Sequence, residues 1–296
     1  MKKIGFIGLG IMGTPMVKNL IKNGVEVNVY DINPKAVKEI SKCGAKGCKT
    51  NLEVAKNSDI IFTMVPDGHH VKEVIFGKDG LLKGLKKGKL VVDLSSIAPI
   101  VSIEIYNELK KIGVGFIDCP VSGGQVKAID GTLAFMAGGD KKDFEVAKPY
   151  MEMMGSTIIL VGKSGSGTGC KLANQIIVNL NIAAVGEALT LMAKMGIDPN
   201  NVYNAIRSGL AGSTVLDNKA PLMINGEYEK GGGRIDINTK DIKNVLLTSK
   251  EYNCSLPLTA ELNEMFKVLN NNGWSKLDHS AIAKYYELIN NVTIKK

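Results

Sequence analysis

Histidine and cysteine are too scarce in this chain to carry much of its chemistry. Three histidines stand in 296 residues. His69 and His70 are neighbours, which diverge on a helix, and no partner histidine lies four residues away, so they read as surface residues rather than ligands. His279 stands alone near the C-terminus and reads as a cap or surface residue. An acid/base group of another kind has to be sought. The five cysteines, Cys43, Cys48, Cys119, Cys170 and Cys254, are odd in number and irregular in spacing. With no secretion signal in view, they argue for reduced thiols in the cytoplasm. Cys43 and Cys48 have no matching pair elsewhere, which argues against a zinc site, and no metal is expected. Lys2-Lys3 followed by apolar residues resembles the start of a signal peptide, but glycines interrupt the run and no small-residue cleavage site follows. Uninterrupted apolar stretches are lacking too. Residues 176–195 are the most apolar, yet Asn179, Asn181, Glu187 and Lys194 break them, so a buried helix is expected rather than a membrane span.

A surplus of positive charge is present, +8 at neutral pH, but no nucleic-acid motif accompanies it and the lysines are interspersed with acids. The densest cluster, Lys83, Lys86, Lys87 and Lys89, reads as a solvated turn. The balance suits small anionic molecules steered toward a cleft, with neither nucleic acid nor membrane as a partner. The length favours two domains over one core.

Glycine is abundant where it matters. Ile4, Phe6 and Ile7 form a strand-type run, Gly8, Gly10 and Gly13 follow in the spacing G-x-G-x-x-G, and Met16, Val17, Leu20 and Ile21 recur at helical spacing. A second strand-type run ends in Asp31, eighteen residues after Gly13. Strand, glycine turn, helix and distant acid together predict a dinucleotide site, with the pyrophosphate on the amides of the helix N-terminus. The site takes in Gly8, Leu9, Gly10, Ile11, Met12 and Gly13. Asp31 can accept hydrogen bonds from both ribose hydroxyls and repels a 2′-phosphate, so NAD(H) is favoured; Lys35 nearby leaves NADP(H) open.

From residue 25 to 160 strand-type runs (25–30, 60–65, 90–94, 116–117, 133–137, 157–161) alternate with helix-type ones (33–43, 69–76, 101–112, 142–153). That alternation predicts a mainly parallel sheet with helices on both faces, whose ligands collect at the carboxyl ends of the strands. Val65-Pro66 and Ser96 stand at two such ends. Pro66 fits either a strand terminator or a neighbour of the nicotinamide; Ser96 fits a helix cap or a hydroxyl near the cofactor. In DCPVSGG, Asp118 to Gly124, the Ser122-Gly123-Gly124 turn offers a hydroxyl and two unobstructed amides that can receive a carboxylate, although such a tripeptide is more often only a turn. After Gly162 the composition becomes helical. Lys171, Asn174 and Gln175 share one face of the helix that opens this region. A lysine near a helix start opposes the macrodipole, though surface statistics alone favour a solvated side chain. Cys170 reads as a packing residue.

Taken together, these residues resemble the β-hydroxyacid dehydrogenase family. GFIGLGIMG at 5–13, DCPVSGG at 118–124, GTGCKLANQ at 167–175 and NTKD at 238–241 stand in the family's order and span nearly the whole chain. The resemblance implies an α/β Rossmann-type N-terminal domain with a mainly parallel sheet, residues 1–163. An all-α C-terminal domain, residues 164–296, follows through a long helix, with the active site in the cleft between them. It further implies that Lys171 is the catalytic general acid/base, that Asn174 and Ser122, Gly123 and Gly124 bind substrate, and that Lys240 reaches both cofactor and substrate. A closer likeness, carried by SSIAP at 95–99, KAIDGTL at 127–133, GLAGSTVLD at 209–217 and DHSAIAKYYE at 278–287, is to members that reduce 2-hydroxy-3-oxopropionate to glycerate. Members that oxidise 3-hydroxyisobutyrate, and homologues that bind a nucleotide without catalysis, are the alternatives. The substrate expected is a small anionic 3-oxo or 3-hydroxy acid, with Ser122, Asn174 and Gln175 as polar partners for a middle-carbon hydroxyl. A homodimer or homotetramer is expected on base rates. Gly169 and Gly233 depart from the family's pattern, the second where an aromatic is common.

Overall fold

The computed structural model describes residues 2–295; Met1 and Lys296, the outer ends of the two expected domains, lie outside the described residues. The chain divides into two compact units, Met1–Lys171 and Leu172–Lys296. The expected boundary at 163/164 falls at the turn that opens the long helix shared by both.

In the first unit β1 (Ile4–Ile7), β2 (Val27–Tyr30), β3 (Lys46–Gly47), β4 (Ile60–Thr63), β5 (Leu90–Asp93), β6 (Gly115–Asp118), β7 (Val121–Ser122), β8 (Leu133–Gly139) and β9 (Gly155–Gly162) form one sheet. The order is β3-β2-β1-β4-β5-β6-β8-β7, with β9 pairing β8. Pairs from β3 through β6 are all parallel, and β8 runs antiparallel to β6 and β7. The helices between them are α1 (Gly13–Lys22), α2 (Pro34–Ser41), α3 (Asn51–Asn57), α4 (Gly68–Phe76), α5 (Pro99–Lys111), α6 (Gly124–Asp130) and α7 (Lys141–Met151). They cover both faces of the sheet, so its central strands β1, β4 and β5 are buried on both sides and alternate between two cores. Ile4, Phe6, Ile60, Phe62, Leu90 and Val92 face one core. Ile7, Ile61, Val91 and Phe116 face the other. The sequence missed β3, β7, α3 and α6, because strands of two residues and helices of seven are too short to display a period.

The long helix α8 (Ser166–Lys194) leads into α9 (Pro199–Ile206), α10 (Thr214–Asn225), α11 (Ile235–Glu251), α12 (Pro257–Asn271) and α13 (Ala283–Asn290). The described residues of the second unit are thus helical around one core, built on Ile182, Leu189, Met223, Ile242 and Phe266. Helix α8 is long and apolar enough, by length and composition, to cross a membrane, and 39% of its most apolar window is buried. One face of it is core, with Asn179 and Thr190 buried there and bonded back to the helix backbone at 2.9 and 2.7 Å. Ile177 and Leu191 are exposed, so the expectation of a buried helix holds for that one face only.

Two readings of charged and polar residues need correction. Lys89 is not a solvated turn residue. It reaches the carbonyls that end α3, donating to Ala55, Lys56 and Ser58, the usual task of a cation at a helix C-terminus, and burial pushes its pKa down. His279 is buried, with Nδ1 3.1 Å from Asn179 Oδ1. Its ring fills the space where a side chain at 233 would begin, because a Cβ on Gly233 would lie 2.7 Å from Nε2. The glycine that departs from the family's pattern therefore leaves no hole.

Candidate active site

The glycine turn between β1 and α1 sits where β1 is flanked by β2 on one side and β4 on the other, the point at which strand order reverses and ligands bind in open parallel sheets. Gly8 has φ +96°, and a Cβ there would fall 2.1 Å from Met64 O at the end of β4. A Cβ on Gly13 would meet Gly8 O at 1.9 Å, so helix and turn touch backbone to backbone. At Gly10 nothing lies within 4 Å of the Cβ position. That open cradle, which a side chain would fill, is the room a pyrophosphate needs. The residues present fit a dinucleotide. Ile11 is exposed and Met12 half-buried at the entry to α1. The Asp31 carboxylate ties the turn down, accepting from Leu9 N at 2.6 Å through Oδ2 and from Asn33 N at 2.7 Å through Oδ1.

A second network closes the neighbouring strand ends. Asp93 Oδ1, fully buried, accepts from Thr63 Oγ1 (2.7 Å), Ser95 Oγ (2.6 Å) and Ser95 N (3.2 Å). Ser95 Oγ in turn accepts from Val65 N at 3.0 Å. Val65 is thereby held by a serine one position before the one the sequence pointed to. Ser96 is half-buried and Pro66 exposed. Burial pushes the Asp93 carboxyl up to about 6, against the pull of its Ser95 and Thr63 bonds and with the charge of Asp118 adding to the rise. An acid and two serines at a strand end were the available signal for Asp93 and Ser95.

Ser122 closes β7, paired with Ala134 of β8. Gly123 and Gly124 follow, exposed, with φ +132° and +68°. These are conformations side chains avoid, and a Cβ position on Gly124 faces open space.

Lys171 is the sixth residue of α8 and half-buried. It stands beyond the first turn, where the macrodipole has largely faded, so the unfavourable dipole inferred from sequence loses most of its force. Asn174, one turn on and half-buried, donates to Gln175 Oε1 at 3.0 Å. Gln175 is buried and its amide is already committed, donating to Asp241 Oδ2 at 2.7 Å and Asn238 Oδ1 at 3.3 Å. It braces α8 against α11 and is not available to a substrate hydroxyl, which corrects the expectation for that residue. Lys240 Nζ lies 3.1 Å from the other oxygen of Asp241. Lys171 and the Gly8–Gly13, Asp31, Val65–Pro66, Ser96 and Ser122–Gly124 residues belong to the first unit, and Asn174 and Lys240 to the second. No group of three or more metal-ligating side chains occurs among the described residues.

Residues 3–162 match the family model for the NAD-binding domain of 6-phosphogluconate dehydrogenase. Residues 165–286 match that for the NAD-binding region of NADP-dependent 3-hydroxyisobutyrate dehydrogenase. The chain is 45% identical to the 2-hydroxy-3-oxopropionate reductase of Escherichia coli over 289 residues, 98% of each chain. It is 35% identical to the 2-(hydroxymethyl)glutarate dehydrogenase of Eubacterium barkeri over 99% of this chain and 97% of that one. The solved 3-hydroxyisobutyrate dehydrogenase of Mycobacterium tuberculosis, with L-serine, superposes with a TM-score of 0.89 at 26% identity, covering 96% of this chain and 98% of its own. With identity of that order running through both units, this chain belongs to the β-hydroxyacid dehydrogenase family and is an NAD(P)-dependent oxidoreductase of it.

Proposed function

We propose that this protein reduces 2-hydroxy-3-oxopropionate, tartronate semialdehyde, to glycerate, with NADH preferred over NADPH. The observation that carries the reading is the 45% identity to a 2-hydroxy-3-oxopropionate reductase over 98% of both chains. The bound nicotinamide supplies the hydride. An ordinary lysine is protonated at neutral pH, so Lys171 acts as ammonium in this direction and donates its proton to the carbonyl oxygen as negative charge grows there. Oxidation requires the free amine and gains rate as pH rises. Asn174, one turn along α8, orients the substrate oxygen or the lysine. The amides and hydroxyl of Ser122, Gly123 and Gly124 receive the carboxylate, and Lys240 contributes positive charge toward the anionic ligands. Gly10 leaves room for the pyrophosphate, and Asp31 accepts from the adenosine ribose.

The middle-carbon hydroxyl of tartronate semialdehyde needs a polar partner, and with Gln175 committed elsewhere the role falls to Ser122 and Asn174. A site that hydrogen-bonds this hydroxyl rejects the methyl-bearing analogue, methylmalonate semialdehyde, because its own polar groups are then left unpaired. The test is kcat/KM for the two semialdehydes with both nicotinamides. The hydroxyl compound is expected to lead by about 10² or more. Faster turnover of the methyl compound would turn the reading to 3-hydroxyisobutyrate.

A further inference from the structure

Asp118 opens the DCPVSGG motif, yet its side chain is fully buried and turned away from any substrate loop. Both carboxylate oxygens go to the start of α8. Oδ1 accepts from Gly165 N at 2.7 Å and Ser164 Oγ at 3.4 Å; Oδ2 accepts from Thr168 N at 2.8 Å and Thr168 Oγ1 at 3.2 Å. An α-helix leaves its first amides without internal partners. Here a residue 47 positions away from Gly165 supplies the acceptor. Two donors three residues apart, gripped by one rigid carboxylate, fix both the tilt and the roll of the helix's first turn.

The seat beneath that turn is equally constrained. A Cβ on Gly167 would fall 2.3 Å from both Asp118 O and Met136 O, and one on Gly138 would fall 2.5 Å from Gly167 N. The first turn of α8 therefore rests directly on the backbone of β6 and β8. The Ser122–Gly124 loop is referred to the same frame, since β7 pairs with β8 at Phe135 and Ala134 and Met136 N donates to Pro120 O at 3.1 Å. Lys171 follows Thr168 by three residues, on the next turn of the helix.

We propose that Asp118 is a positioning residue for the reduction, holding α8 in the one orientation that aims Lys171 at a substrate whose carboxylate rests on the Ser122–Gly124 loop. This rests on the reading of Lys171 as proton donor. A carboxylate buried beside Asp93 and Cys119 is costly to keep charged; burial pushes it up to about 6 despite the amides of Gly165 and Thr168 and the Thr168 hydroxyl. A neutral cap would hold the fold at lower cost, so the charge is spent on tightness at this joint.

The test is a mutant cycle in the full-length enzyme, with Asp118→Asn, Lys171→Ala and the double variant compared for kcat, substrate KM and NADH dissociation constant. Asparagine keeps the shape and one acceptor but loses the second. Asp118→Asn is expected to lower kcat about 10- to 100-fold, the scale of a misplacement near 1 Å. NADH affinity should stay within about twofold, and nothing further should be lost once Lys171 is alanine. A merely structural role predicts the same loss in both backgrounds, and that result, or an unchanged kcat, overturns the proposal. Should Asp118→Asn fail to fold, Thr168→Val removes one hydroxyl donor to the same carboxylate. It should cost about threefold in kcat, again only while Lys171 is present; an equal loss without Lys171, or none with it, overturns the proposal. Lys171→Ala alone reports on the lysine: near wild-type kcat there removes the proton-donor reading and the positioning role together.

Discussion

Two helices that start in the first unit begin in the same way and are put to opposite uses. Helix α1 follows the turn that starts Gly8-Leu9-Gly10, and helix α8 starts directly after Gly165 with Ser166-Gly167, each with a positive-φ glycine opening the turn. At α1 the position beside Gly10 opens onto free space, and the helix start can take an external anion, the pyrophosphate. At α8 the anion is internal: Asp118 occupies the amides of Gly165 and Thr168, and Gly167 serves close packing against β6 and β8. A helix N-terminus attracts negative charge in both cases. What differs is who brings the charge, and with it whether the turn binds a ligand or fixes a side chain farther along.

The difference is broken most severely by two substitutions, one on α8 and one in the turn before α1. Lys171→Ala is expected to lower kcat by about 10² to 10⁴, the usual contribution of a positioned acid/base group, while NADH affinity stays near wild type. Gly10→Glu works the other way. It sets a like charge against the pyrophosphate, a juxtaposition worth several kcal/mol, and should weaken NADH binding by about 10² or more while the protein stays folded. Fluorescence titration with NADH separates the two. If Lys171→Ala weakened NADH as much as Gly10→Glu, α8 would be a cofactor element and the contrast would fail.

The glycine turn was legible in the sequence because every part of it is local: a strand period, three glycines at fixed offsets, a helix period and an acid at the end of the next strand. The longer strands and helices of the first unit were legible for the same reason, with ends displaced by a few residues, whereas the second unit read only as helical without the bounds of its helices after α8. The joint at α8 was not. Asp118 and Gly165 are 47 positions apart, and a lone aspartate in a proline-containing loop carries no sign of where its oxygens point. Ser95 was passed over for Ser96 because adjacent serines at a strand end are equivalent until the pleat decides which one faces Asp93. Gln175 looked available for substrate, since only the packing of α11 onto α8 reveals Asp241 as its partner.

A smaller effect is expected where Asp31 does two tasks. Its carboxylate can accept from the ribose hydroxyls, and it also holds Leu9 N at 2.6 Å, which fixes the turn that receives the pyrophosphate. Asp31→Ser should therefore reduce kcat/KM for NADH and raise it for NADPH, narrowing the ratio between them by about tenfold or more, one charge-assisted hydrogen bond's worth. Because the anchor of Leu9 is lost too, NADPH should not reach the original efficiency of NADH. Wild-type enzyme that prefers NADPH from the outset would sink the ribose role and leave Asp31 as an anchor alone.

The smallest effect concerns stability, and it separates Asp93 from Asp118, its register partner across β5 and β6. Both carboxyls are pushed up to about 6 chiefly by burial, but Asp118 has donors on both oxygens, whereas Asp93 Oδ2 is buried with none among the described residues. A carboxyl whose folded pKa is raised binds more protons folded than unfolded between about 4 and 6, so stability falls as pH rises through that window and is level above it. Asp93→Asn keeps the acceptor that Thr63 and Ser95 use and cannot ionise. Its amide nitrogen is left unpaired, a cost that does not change with pH. The melting temperature of Asp93→Asn relative to wild type should therefore climb between pH 5 and pH 8, by an amount equivalent to about 1–3 kcal/mol, or several degrees for a unit of this size. Asp118→Asn should gain by a similar amount over the same range, because its carboxyl is raised alike, but from a lower start, since it gives up a second acceptor on which two donors depend, a cost that does not change with pH. A difference between Asp93→Asn and wild type that stays flat from pH 5 to pH 8 would mean that Asp93 is ionised throughout, its second oxygen satisfied by solvent, and that the two aspartates are not distinguished by their partners.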